Sequence, residues 1–172
     1  ADPTFTVDLE GIRAKGAGPQ WLASTSSAAT VATLFTGSDP SAISVGYSIT
    51  APIDGPSGGA ALTVGTIAAI RGDRVRPKVV MTGTIAPDGT IGQVGLVPQK
   101  LRAAAEAGYR TVLVPMGNRM AFDEATGRPV DVVALGRTLG LRVQPTRDIN
   151  DAYEVFTGRT IAPPVEIGRA HV

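Results

Sequence analysis

The sequence predicts an α/β (α+β) domain in which helices pack on a mixed sheet in two layers. Residues 43–49 alternate apolar with small or polar side chains at period two, which is typical of a half-buried strand. Residues 57–71 are apolar or small on every side, which suits a buried helix. Residues 100–107 have strong helix propensity and precede the apolar segment 111–114. Such a helix-to-strand crossover predicts at least one parallel pair of strands.

The remaining elements follow from local signals. Pro87-Asp88-Gly89 is a turn sequence and predicts a hairpin between strands at 78–85 and 90–94. Asp148 is expected to be the N-cap of a helix over 149–157. We also expect strands over 5–9, 130–134 and 141–144, and a helix over 21–35. At 172 residues the chain has room for one domain, which we place at 1–160, with a C-terminal tail at 161–172.

The composition excludes several classes of function. The net charge is +1 and the basic residues are scattered without aromatic neighbours, so no nucleic-acid surface is expected. The absence of cysteine excludes disulfides, thiolate nucleophiles and cysteine-ligated zinc sites. No apolar stretch reaches the roughly 18 residues that a membrane helix needs, and the N-terminus has no signal-peptide pattern.

The histidine content limits the choice of a catalytic base. His171 is the only histidine and lies in the predicted tail, which argues against a Ser-His-Asp arrangement and a histidine-ligated metal. Lysine is the alternative, because burial lowers its pKa and leaves an amine that can accept a proton. Lys15 and Lys78 lie in polar surroundings, whereas Lys100 opens an apolar helix, whose positive end would also favour the neutral amine.

A nucleophile is predicted at Ser57, in a tight turn before the buried helix, where free backbone amides could stabilise an oxyanion. Structural alternatives remain open for each residue. Such a serine is most often an N-cap, and a lysine at a helix start is usually solvated. Taken alone, Asp54 is typical of a turn and Thr82 of an ordinary strand.

Four segments add a more specific pattern. They are Asp54-Gly-Pro-Ser-Gly-Gly59, Met81-Thr-Gly-Thr-Ile85, Asp88-Gly-Thr-Ile-Gly-Gln-Val-Gly95 with Gln99-Lys100, and Val112-Leu-Val-Pro115. In order and spacing they resemble the proteolytic domain of Lon proteases, and the resemblance is dense over residues 43–118. In that family a lysine 43 residues after the serine is its partner, which is the separation of Ser57 from Lys100.

The resemblance implies a serine endopeptidase that needs no cofactor or metal. Ser57 would be the nucleophile and Lys100 the general base, while Thr82 would hydrogen-bond and orient the lysine. Asp54 matches an acidic position at the mouth of the site that can act as a gate. Gly58, directly after the nucleophile, is expected to support the site.

The chain departs from the family pattern at four positions. Ile53 replaces a usual Lys, Gly58 an Ala, Thr84 a Glu and Leu96 a second Gly. The pattern is closer to the shorter, ATPase-free Lon-like proteins of bacteria, some of which carry PDZ domains. No Gly-x-x-x-x-Gly-Lys-Ser/Thr segment occurs, so no nucleotide site is expected.

The resemblance further implies a polypeptide substrate and a ring of identical subunits, commonly six, with an ATPase or PDZ module as a fused or separate partner. We expect a soluble domain, in the bacterial cytoplasm or on the extracytoplasmic side of an anchored parent. Two other functions stay open. The first is a catalytically silent binding or assembly module, and the second is an esterase or amidase for small molecules, which predicts an enclosed pocket.

Overall fold

The structure is a computed structural model and describes residues 14–161. Its strands are β1 (Val79–Met81), β2 (Thr84–Ile85), β3 (Ile91–Gly92), β4 (Thr111–Pro115), β5 (Met120–Asp123), β6 (Arg128–Asp131) and β7 (Arg142–Thr146). Strands β1, β4 and β7 form a parallel sheet in the order β1–β4–β7. The other four strands form two antiparallel hairpins, β2 with β3 and β5 with β6.

The helices of the described residues are α1 (Pro19–Thr36), α2 (Gly59–Arg71), α3 (Val97–Glu106), α4 (Val132–Thr138) and α5 (Ile149–Thr157). A short 3-10 turn, Pro56–Gly58, leads into α2. Helices α3 and α4 connect consecutive strands of the parallel sheet, β1 to β4 and β4 to β7. The α/β class and the parallel crossover around α3 are therefore confirmed. None of these helices is long and apolar enough to cross a membrane.

Apolar side chains of β4 alternate between two hydrophobic clusters, as expected of a strand buried on both faces. Leu113 is fully buried in a cluster with α2 and α5, whereas Val112 and Val114 pack with α3 and α4. Helix α1 joins the first of these clusters through Ala32. The clusters fix β1 and α3, the two elements on which the site is built.

The predicted strand over 78–85 is two strands that belong to different sheets. β1 ends at Met81, and after it the Thr82 N–H still donates to the Leu113 carbonyl. β2 then turns away to pair with β3 in the predicted hairpin. The break falls at Gly83, where a Cβ would stand 2.4 Å from the side chain of Ile91. The close approach of Ile91 therefore leaves no room for a side chain at this break.

The prediction of a strand over 130–134 is wrong for its second half. The strand ends at Asp131, whose carboxylate accepts hydrogen bonds from the amides of Val133 and Ala134 at 2.8 and 3.2 Å. These bonds cap α4, and an aspartate at this place is a helix-start signal that outweighs the β-branched residues after it. Strand β5, the partner of β6, was not predicted at all.

Other elements differ from their predictions or lie outside the described residues. Helix α3 begins at Val97 rather than Lys100, because Pro98 in its first turn fits a helix start. Residues 43–49 keep the expected alternation of half-buried and exposed side chains, but pair with none of the strands described above. The predicted strand at 5–9 and residues 162–172 of the predicted tail lie outside the described residues, whereas Ile161 is buried in the first cluster.

Candidate active site

Ser57 lies in the 3-10 turn before α2, and this turn is tied to the end of β1. The Ser57 carbonyl accepts the Gly83 N–H at 2.8 Å and the Thr82 hydroxyl at 3.2 Å. In return, the Ala60 N–H donates to the Gly83 carbonyl at 3.1 Å. Three hydrogen bonds to neighbouring chain segments hold the turn, so the backbone of Ser57 has little freedom.

Lys100 reaches the same place from the first turn of α3. Its Nζ donates to the Thr82 Oγ1 at 3.2 Å. The single hydrogen of that hydroxyl is directed to the Ser57 carbonyl, so Thr82 offers a lone pair to the amine. Thr82 is only 8% exposed, which keeps water from competing for either bond. The threonine therefore orients the lysine and the serine turn at once.

Burial lowers the pKa of Lys100 below its ordinary value of 10.5. Desolvation is the cause, because a charged ammonium loses more than a neutral amine when water is removed. Lys100 Nζ donates its hydrogen bond to the Thr82 hydroxyl and not to a carboxylate, so this bond brings no negative charge that would favour the cationic form. The lysine is thereby shifted towards the form that accepts protons.

Two grooves meet at Ser57, Lys100 and Asp54, which line both of them. The first groove, of about 360 Å³, is mainly apolar, with walls from Trp21, Val80, Met81, Ala104, Tyr109 and Val112. The second, of about 430 Å³, is lined by Pro56, Thr84, Gln93, Val94, Gly95 and Leu96. No hydrogen bond joins Ser57 Oγ to Lys100 Nζ within residues 14–161. The two side chains instead face the junction of the grooves.

Asp54 caps helix α1. Its Oδ1 accepts the backbone amides of Gln20 at 3.1 Å, Trp21 at 3.2 Å and Gly55 at 2.7 Å. The first two amides belong to the first turn of α1, which has no side-chain cap of its own. A Cβ on Gly18 would stand 2.1 Å from the Asp54 carboxyl carbon, so this approach needs a glycine. Asp54 thus holds α1 against the serine turn.

Trp21 is a wall of the site that sequence reasoning missed. The ring is 8% exposed, lines the first groove and lies against Gly58. Trp21 belongs to a helix rich in Ala, Ser and Thr, and this sequence does not indicate a contact with the serine turn. The one available signal was that a lone tryptophan occurs near a helix start.

Asn118 is a second residue that sequence reasoning missed. Its amide Oδ1 accepts the Val94 N–H at 2.9 Å and its Nδ2 donates to the Val94 carbonyl at 3.0 Å. The side chain is buried and holds the segment that leads into α3. The location of Lys100 therefore depends on a residue that follows it in sequence and touches neither groove.

The positions that depart from the Lon pattern surround the site. Ile53 is 39% exposed in the first groove, and its backbone forms a parallel bridge with Ala17. Thr84 and Leu96 both line the second groove. His171 lies outside the described residues. Within those residues no three His, Cys, Asp or Glu side chains come together in a way that could hold a metal ion.

Comparison with known proteins shows the family that the chain resembles. The family described as Lon protease (S16) C-terminal proteolytic domain matches residues 42–132. The chain is 40% identical over 82 residues to the Lon protease of Mycoplasma pneumoniae, covering 48% of this chain and 10% of that protein. It is 35% identical over 108 residues to the Lon protease of Vibrio parahaemolyticus, covering 63% and 13%. For the Lon protease of Escherichia coli the identity is 34% over 100 residues, covering 58% and 12%.

The fold and the family match together define a peptidase domain of the Lon type. The match spans more than half of the chain, so the chain belongs to the family of Lon protease C-terminal proteolytic domains. It corresponds to about a tenth of the length of these relatives. Trp21 and the first turn of α1 lie before the matched residues, so the contacts of that helix with the serine turn fall outside the matched segment.

Proposed function

We propose that this chain is a serine endopeptidase in which Ser57 and Lys100 form the catalytic dyad. The observation that carries the proposal is the placement of Thr82 between them, bonded to the lysine amine and to the serine carbonyl. Desolvation lowers the pKa of Lys100, and a lysine needs this to act as a base near neutral pH.

In the proposed reaction, neutral Lys100 Nζ takes the proton of Ser57 Oγ as this oxygen attacks the peptide carbonyl carbon. Backbone amides of the turn at Ser57 and Gly58 stabilise the oxyanion of the tetrahedral intermediate. The C–N bond then breaks, and the Lys100 ammonium returns a proton to the leaving amine. Water, deprotonated by the same lysine, hydrolyses the acyl-enzyme and regenerates Ser57.

The other residues of the predicted site have positioning roles in this proposal. The Thr82 hydroxyl accepts a hydrogen bond from one N–H of Lys100, so the lone pair of the neutral amine points away from Thr82. Asp54 acts as a helix cap and Gly58 as the close-packing partner of Trp21. We propose no charge contact between Asp54 and Lys100, because the ion pairs of the described residues do not include one between these two side chains.

The substrate in this proposal is an unfolded or flexible polypeptide, because two open grooves that meet at the dyad suit an extended chain. The open form also disfavours the esterase or amidase alternative. Cleavage is proposed to need no ATP from this chain, with assembly into a ring of identical subunits and an ATPase or PDZ module as partner. The proteolytic domain is proposed to cover residues 1–160.

A second function is favoured by one observation. No hydrogen bond joins Ser57 Oγ to Lys100 Nζ in the described residues, and this supports a catalytically silent binding or assembly module as the second function. Such a module would bind polypeptides in the same grooves without cutting them.

The test is degradation of casein without nucleotide across pH 6 to 10. The unmodified chain is compared with Ser57→Ala and Lys100→Ala, and with the matched controls Ser26→Ala on exposed α1 surface and Lys15→Ala. We expect cleavage by the unmodified chain and both controls, and none by the two dyad variants. Cleavage that survives without Ser57 would refute the dyad, and silence of the unmodified chain would favour the binding module.

A further inference from the structure

Leu96 has a backbone conformation that is unusual for a leucine. It has φ 60° and ψ 31°, in the left-handed region, and is the N-cap residue of α3. A Cβ is unfavourable there because it approaches the following carbonyl oxygen, so glycine is the residue that fits best. Leu96 therefore has a large branched side chain at a position where the backbone conformation favours a residue without a side chain.

The packing of the protein does not account for this side chain. Leu96 is 53% exposed and belongs to none of the hydrophobic clusters. Its carbonyl accepts the Lys100 N–H at 3.0 Å, but any residue would supply that carbonyl. The cost of the conformation is therefore not offset by burial in the core.

The side chain does, however, line the second groove, together with Ser57 and Lys100. An exposed apolar side chain beside the dyad would lose its contact with water when an apolar group of a bound molecule covers it. Backbone strain of this kind recurs at sites where ligands are held. The outlier and the exposed apolar surface thus coincide at the groove.

We propose that Leu96 is a specificity-determining contact, against which an apolar side chain of a bound polypeptide packs in the second groove. The inference rests on the proposed function in one respect, which is that a polypeptide binds in these grooves. Ser57 lies where the two grooves meet, so residues on the two sides of it occupy different grooves. Leu96 consequently sets the preference on one side of Ser57, and Trp21 and its neighbours contact the other.

The first test measures binding without chemistry, on the Ser57→Ala background. Fluorescein-labelled Gly/Ser decapeptides with leucine at two central positions, or with alanine there, are titrated and followed by anisotropy. We expect Leu96→Gly to lower the affinity for the leucine peptide by about tenfold, which corresponds to about 1.4 kcal/mol. The affinity for the alanine peptide should change by less than about twofold. Leu96→Met should restore most of the affinity. Leu34 is a leucine of similar exposure on α1, and Leu34→Ala should change the affinity for neither peptide.

Equal binding of the leucine peptide by Leu96→Gly and its parent would overturn the inference, as would no binding of either peptide by the parent. The second test is the pattern of casein cleavage sites in proteins with Ser57 intact. Leu96→Gly should relax the apolar preference on one side of the cleaved bond only. An unchanged pattern of cleavage sites would overturn the inference about Leu96, but not the proposal that the chain is a peptidase. Leucine-dependent binding without any cleavage overturns the peptidase and leaves the role of Leu96 intact.

Discussion

The ring of Trp21 lies against the backbone of Gly58, so closely that a Cβ on Gly58 would stand 2.4 Å from the ring atom Cζ3. No real Cβ tolerates that distance, so a side chain here must displace the tryptophan. The Trp21 ring therefore occupies the space that a methyl group at position 58, directly after Ser57, would need. The two residues together fix the distance between α1 and the serine turn.

We expect Gly58→Ala to lower the free energy of unfolding by about 1 to 3 kcal/mol, the usual cost of overpacking. The backbone of Gly58 has φ −91°, which alanine adopts freely, so the contact with Trp21 is the source of the cost. Combining Gly58→Ala with Trp21→Leu should recover part of the lost free energy of unfolding, which urea unfolding measures. Gly65→Ala is the control, because its added Cβ would meet nothing within 4 Å beyond its chain neighbours and the helix backbone, and it should stabilise α2 by about 0.5 to 1 kcal/mol. Equal effects of the two alanines would contradict the role of the ring.

Asp54→Ala is expected to destabilise the protein by about 1 kcal/mol, because two amides of the first turn of α1 lose their acceptor. Asp54→Asn keeps an acceptor oxygen and should lose less. Thermal unfolding of the two variants at pH 7 measures the difference. If both variants unfold alike and both lose cleavage, the carboxylate acts through its charge at the site rather than through the cap.

The sequence predicted elements whose signals are local. The serine turn, the start of α5 at Asp148 and the parallel crossover before β4 follow from turn residues, caps and periodicity. Residues whose role depends on distant contacts were missed. Trp21 and Asn118 act across the fold, and a single sequence holds no information about which segments such residues meet.

Asp54 illustrates the limit within the site itself. The turn prediction and the family resemblance both put Asp54 near Ser57, and in the structure the residue lines both grooves. Neither indicated that the carboxylate caps α1, since that helix lies more than thirty positions earlier in the chain. The resemblance predicted the hydrogen bond between Lys100 and Thr82, but not the backbone amides of α1 that the Asp54 carboxylate binds.

Thr82→Val is expected to reduce kcat/KM for casein-derived peptides by about tenfold or more, because the half-buried Lys100 amine loses its hydrogen-bond acceptor. The change also leaves the Ser57 carbonyl with one donor fewer. Thr82→Ser keeps the hydroxyl and should restore most of the activity. A pH–rate profile distinguishes positioning from packing, since loss of the contact to Nζ should move the acidic limb, where activity falls as Lys100 becomes protonated. A valine variant with full activity and the same profile would remove Thr82 from the mechanism.

Lys100→Met is expected to abolish cleavage and to raise the stability at pH 7 relative to the unmodified chain. The pKa of Lys100 is lower in the folded protein than its value of 10.5 when unfolded, so between the two values the unfolded chain binds more protons. Stability contributed by Lys100 therefore increases as the pH rises through that interval and is lowest below it. Urea unfolding from pH 7 to 11 should show the advantage of methionine shrinking towards high pH. An advantage that is independent of pH would mean that the lysine is not desolvated.

Leu96→Gly should be more stable than Leu96→Ala by about 1 kcal/mol, because both remove the exposed side chain and only alanine keeps a Cβ in the left-handed region. Part of the gain is offset by the greater freedom of glycine in the unfolded chain. Urea unfolding of the two variants and the unmodified chain measures this difference without reference to any substrate. A glycine variant that gains stability while binding the leucine peptide less well would mean that the strain at Leu96 is retained for contact with substrate. If alanine is as stable as glycine, the conformation costs nothing, and the case for Leu96 rests on its exposure in the groove alone.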